Sequence, residues 1–335
     1  MAKSKAKQRE AVAATRVVRA EPEAVSAASF IVSLLMGALA ADVVLLFLSF
    51  GLREIWSPFA LTGDRVWRAL AFSGLIGGLV TAIAARGARG PQAPAACALG
   101  WGIWGLLQHV VAPGGLKSLP FIVKMPAAQL PSVATAVILN TGAFQPLCIA
   151  FGLLLAAVTA RMTDRLIFAP HRATVVSAKA PQMGANRSRA IVRVMTYPLL
   201  TMVLGLVLIS LLGLLLLLPP QLHARDLPLH VSRAWLCAVV SLSASAVAAY
   251  VIRSFWRPTG SLGYLLAAPL VIAFASAMII VTQGKLPLLE PMKRLLWNSS
   301  AFELASWGAF GAACGYWAAE TSDESRVMSD EGERS

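Results

Sequence analysis

The chain has 335 residues, 57% of them hydrophobic and only 13% charged, with a formal net charge of +13. Ordinary soluble domains carry about a quarter charged residues, so a wholly soluble protein is excluded and the apolar excess has to face lipid. The basic balance does not point to nucleic acid, because Lys and Arg fall between apolar runs instead of on one face of a globular module.

Residues 1 to 23 form a basic tail with Lys3, Lys5, Lys7 and Arg9 among alanines, read as a solvated segment or as a surface helix on the inner leaflet. The apolar run from Ala24 to Gly51 is much longer than a signal-peptide core, which points to an uncleaved anchor. Further apolar runs follow at about 69 to 85, 93 to 112, 132 to 160, 195 to 218, 234 to 252, 261 to 282 and 301 to 319. Each reaches or approaches the roughly 20 residues that cross a bilayer core. The expected fold is therefore all-α: a polytopic transmembrane bundle of about eight spans. The fourth run contains Pro146 and is long enough to tilt or kink.

Between the halves lies a basic linker, 161 to 194, with seven Lys or Arg opposed only by Asp164. Positively charged connections stay cytoplasmic. With the N-terminus inside, the cytoplasmic segments carry 19 Lys and Arg and the opposite side ten. Both termini are thus expected in the cytoplasm, and the linker is expected to meet anionic headgroups. The tail, 320 to 335, is acidic and almost free of apolar residues, which reads as disordered.

Sliding the chain by 168 residues superimposes Arg65 on Arg233, Trp67 on Trp235, Arg89 on Arg257 and Lys117 on Lys285, all at span ends. This suggests two four-span halves, 24 to 160 and 195 to 319, in the same orientation and so related by parallel pseudo-symmetry. The segments Gly115 to Pro120 and Gly284 to Pro287 are too short and too interrupted to cross a bilayer. They suit interfacial or re-entrant structure.

Ionisable groups inside spans are costly and so are candidates for function. Asp42, His109, Asn140 and Glu303 all fall in the outer half of the bilayer in this topology, where they are expected to line a polar substrate-binding cavity. Each has a plainer reading. Asp42 and His109 can bond to a neighbouring helix, Asn140-Thr141 and Gln145-Pro146 can tie helices together, and Glu303 can remain hydrated near the interface and meet Lys293 or Arg294. The outer-loop group His223, Arg225, Asp226 and His230 reads as a solvated turn.

Gly100-Trp101-Gly102-Ile103-Trp104-Gly105 matches a dinucleotide fingerprint in letters only, since no strand precedes it. With the Gly74–Gly78 and Gly311–Gly315 pairs it is expected to allow close helix approach, tryptophans filling the grooves. Cys97, Cys148, Cys237 and Cys314 read as small buried hydrophobes, with no metal-ligand spacing. No cofactor is implied, and hydrolase, P-loop and metalloprotease signatures are absent. The leading functional reading is a transporter or permease-like protein for a small solute or lipid in a bacterial inner membrane. The alternatives are a non-catalytic subunit or assembly factor packing on partner membrane proteins or on its own copies, and an enzyme acting on a lipid-linked substrate.

Overall fold

A computed structural model describes residues 27–50, 64–86, 91–111, 130–168, most of 200–211, 227–256, 262–282 and 286–332. The basic tail, the central linker from 169 onward, the Gly115 to Pro120 segment and the His223, Arg225, Asp226 group lie outside the described residues. Among those described, every regular element is helical. They are α1 (Ala27–Phe50), α2 (Asp64–Ala84), α3 (Gln92–Val111), α4 (Leu130–Thr163), α5 (Leu227–Trp256), α6 (Leu262–Val281), α7 (Glu290–Asn298) and α8 (Ala301–Gly332). A π-helical turn, Asp164–Phe168, extends α4, and a 3-10 turn, Pro287–Leu289, leads into α7.

Among the described residues, five stretches are long and apolar enough to cross a membrane: Ala28–Leu48, Val66–Ala84, Ala143–Ile167, Ala234–Phe255 and Leu262–Val281. Their outward faces carry large apolar side chains, among them Leu35, Leu39, Phe47, Phe72, Phe151, Leu166, Val239 and Phe274. Such surfaces are unstable in water and at home in lipid. The described residues thus form a helical bundle whose apolar surface is compatible with a membrane protein.

The helices α3 and α8 are not among these five, and both lie largely enclosed by the others. Nearly every described side chain of α3 from Gln92 to Leu106 is buried, as is α8 from Ala301 to Gly315 apart from Trp307, Phe310 and Cys314. Surrounded by other helices, they need small residues that admit close neighbours more than bulk that repels water. α3 packs on α1, α2, α4, α5 and α8, and α8 packs on α3, α4, α5 and α6.

The two glycine pairs do the same work at two junctions. A Cβ on Gly74 of α2 would run into the backbone carbonyl of Gly152 on α4, and one on Gly78 would lie 2.5 Å from the Ala156 carbonyl oxygen. In the other half, Cβ atoms on Gly311 and Gly315 of α8 would collide with the carbonyls of Leu242 and Ala246 on α5. Backbone meets backbone at both places, so a side chain on these glycines forces the helices apart. The expected tryptophan filling is also present: Trp101 sits against Gly152, and the Trp307 ring against Gly102.

Three places bear on the expected local structure. Pro146 lies inside α4, which is helical from Leu130 to Thr163; Gln145 beside it is buried. The proline ring removes one backbone bond, and the packed neighbours α2 and α6 hold the helix together. The acidic tail is helical as far as Gly332. Extending a helix that is already nucleated needs no new nucleus, and Ala, Glu and Arg in this stretch favour it. The segment before α8 is a short helix whose Leu289, Met292, Leu295 and Leu296 join the main core, so it is tucked into the bundle instead of resting on its surface.

Candidate functional site

Helices α1, α2 and α3 are tied by a short polar chain. The Trp101 indole N–H donates to Ser73 Oγ at 2.7 Å, and the Ser73 hydroxyl donates to the Ala41 carbonyl at 2.9 Å. Trp101 and Ser73 are completely buried, where a satisfied bond is worth most and a broken one costs most. Nearer the other end of α1, Gln92 donates to Ser33 Oγ at 2.5 Å and to the Phe30 carbonyl at 3.4 Å.

Asp42 sits one residue beyond the Ala41 carbonyl. It lies between the buried stripe of α1, namely Leu34, Ala38, Ala41 and Leu45, and the exposed stripe of Leu35, Leu39 and Val43. The carboxyl leans on α3 where Gly100 has no side chain; a Cβ there would lie 3.0 Å from Asp42 Oδ1 and 2.6 Å from the Ala38 carbonyl oxygen. Oδ1 is buried without a hydrogen-bond partner among the described residues, although the residue as a whole is only half-buried. A carboxyl group in an apolar junction, lacking a bonded partner, is what structural residues avoid.

Glu303 has a different environment from the one expected. It is fully buried, not hydrated. Ser299 Oγ and the Ser300 N–H (3.3 Å) donate to its Oε2, while its own N–H donates to Ser300 Oγ at 3.2 Å. This reciprocal arrangement is a capping box that starts α8. The Ser-x-x-Glu spacing of Ser300-Ala301-Phe302-Glu303 was the available signal. The Glu303 stem packs where Gly105 of α3 lacks a Cβ.

Gly100 and Gly105 are five residues apart, which is about 140° around α3 and about 7.5 Å along it. Asp42 and Glu303 therefore press on different flanks of the same helix. His109 belongs to the last turn of α3 and Asn140 to α4, and their side chains lie outside the described residues. Buried polar atoms that sequence reasoning did not single out also gather in the α6 and α8 region: Ser276 Oγ, Ser306 Oγ and the Trp307 indole nitrogen have no hydrogen-bond partner among the described residues. Serine and tryptophan are common in membrane helices, and nothing in their spacing marks them.

Among the described residues no three His, Cys, Asp or Glu side chains gather as metal ligands. Cys97, Cys148 and Cys237 are free and buried, and Cys314 is free and partly buried. Comparison with protein-family models, with curated proteins and with solved structures finds no match.

Proposed function

We propose that the chain is a transporter or permease-like protein of a bacterial inner membrane, moving a small solute or lipid through a bundle in which Asp42 is the functional carboxyl. The observation that carries this reading is the Asp42 carboxyl itself, wedged against Gly100 with Oδ1 buried and unbonded among the described residues. Intramembrane ionisable groups are retained where they serve a pathway. His109 and Asn140 are taken to complete the polar set, whereas Glu303 contributes by fixing the start of α8.

The subunit reading called for glycine faces free to receive a partner. Gly74, Gly78, Gly311 and Gly315 are instead used up by contacts within the chain, which weighs against it. The enzyme reading relied on Glu303 with His109, and the capping box engages Oε2 of that carboxylate in starting a helix.

The transporter reading includes eight spans in two parallel halves, with both termini cytoplasmic. Several features support the duplication. Ala150-Phe151-Gly152 recurs as Ala309-Phe310-Gly311. The α2–α4 junction and the α5–α8 junction use corresponding residues: Gly74 and Gly78 match Leu242 and Ala246 at an offset of 168, and Gly152 and Ala156 match Gly311 and Gly315 at an offset of 159. Buried Ser73 and Ser241 also share the offset of 168. The packing is reciprocal, since α3 of the first half lies on α8 of the second and α6 of the second lies on α4 of the first. Duplicated bundles of this type commonly move solutes at the interface between halves.

The test is flux. Asp42→Asn removes the charge and keeps the shape, so it is expected to abolish uptake in cells or liposomes at unchanged protein level. Full uptake by Asp42→Asn would refute the reading.

A further inference from the structure

Resting on that reading of Asp42, we propose that this carboxyl is a proton-exchanging group reached from the lipid-facing side of the bundle, so that protons are the ion coupled to the protein's activity.

Position is the first argument. Asp42 lies at the shoulder of α1, one step from Leu39 and Val43, which are 59% and 41% exposed. The residue is itself half-buried while its Oδ1 is fully enclosed, and it borders the exposed stripe of α1. Chemistry is the second. Binding a metal cation in place of its water shell needs several oxygen ligands, and the buried Oδ1 has no hydrogen-bond partner among the described residues. A proton needs only the carboxyl.

The neighbouring charges agree. Among the described residues of α3, the ionisable group near Asp42 is the buried Cys97 thiol. From α2 the Ser73 hydroxyl reaches the adjoining Ala41 carbonyl. The charged residues of α2, Asp64, Arg65 and Arg68, fall in its first five positions, and Ser73 comes a further turn or more along the helix. Among the described residues no cation is paired with the carboxyl from α2 or α3, so a bound proton is the means of neutralising it that these residues leave.

A hydrophobic carbodiimide, which partitions into lipid, tests this in the full-length protein in liposomes. The reagent adds the carboxylic O–H across its C=N bond, the oxygen joining carbon and the proton joining nitrogen, and the adduct rearranges to a stable acylurea with no leaving group. Peptide mass spectrometry is expected to find the adduct on Asp42 and not on Glu303. Above the midpoint of its titration, labelling is expected to fall about tenfold per pH unit and to be indifferent to sodium at fixed pH. Asp42→Asn should lose the adduct, while Asp42→Glu should keep it.

Absence of an Asp42 adduct at every pH would overturn the proposal, as would protection by sodium at constant pH. The two readings fail separately. Loss of flux in Asp42→Asn without labelling of the wild type would leave the transport reading and remove the proton; labelling without any effect of Asp42→Asn on flux would do the reverse.

Discussion

Substituting Gly311 by alanine adds one methyl group at a point where no side chain can step aside. The new Cβ would meet the carbonyl oxygen, carbon and Cα of Leu242, all of them backbone of α5. Both helices are anchored elsewhere, by the Ser241 hydroxyl donating to the Leu304 carbonyl at 2.6 Å and by the core cluster that joins them. Relief therefore requires α5 and α8 to separate along much of their shared length. Overpacking of this kind costs about 1 to 3 kcal/mol, offset by about 1 kcal/mol from alanine's better helix propensity. Gly205 supplies the control, since a Cβ there would meet nothing within 4 Å; its substitution gains the propensity without the clash.

The expected result is a melting temperature in detergent lower by several degrees for Gly311→Ala and unchanged or higher for Gly205→Ala, at roughly 2 to 4 °C per kcal/mol. Fluorescence-detected size exclusion after a heating series reads this directly. Equal melting of the two variants would refute the claim that backbone contact, and not glycine as such, sets the requirement.

Two further outcomes follow from the polar contacts. Trp101→Phe and Ser73→Ala should each destabilise, and because the pair shares one buried bond the double variant should cost less than the two singles combined, with a coupling of about 0.5 to 1.5 kcal/mol; strict additivity in unfolding measurements would show the bond to be idle. Glu303→Ala should destabilise by about 1 to 3 kcal/mol, because it strands the Ser299 hydroxyl and the Ser300 N–H in a buried site, and Glu303→Gln should recover much of the loss. Equal loss from alanine and glutamine would mean that charge, not capping, is what the position needs.

The all-helical membrane architecture was legible because long apolar runs have few other uses, and the close approach of helices was legible because Gly74 and Gly78, and Gly311 and Gly315, keep one-turn spacing. The plain role of Glu303 was equally open to reading in Ser300 three residues before it, yet its depth in the span drew attention to function instead. Other features left no local trace. The pairing of Asp42 with Gly100, or of Trp101 with Ser73, joins residues on different helices, and a single sequence does not say which turns face one another. The likeness of the α2–α4 and α5–α8 contacts was hidden from a single constant offset, because the residues that meet there are matched at two different spacings, 168 and 159.

The inner placement of α3 and α8 inverts the usual sense of a mild mutation. On the rim of this assembly, exchanging one greasy side chain for a larger one merely roughens a surface that acyl chains can follow. At its centre the same exchange, Ala96 to leucine for instance, wedges apart several helices together. Tolerance to bulk should therefore increase from the middle outward.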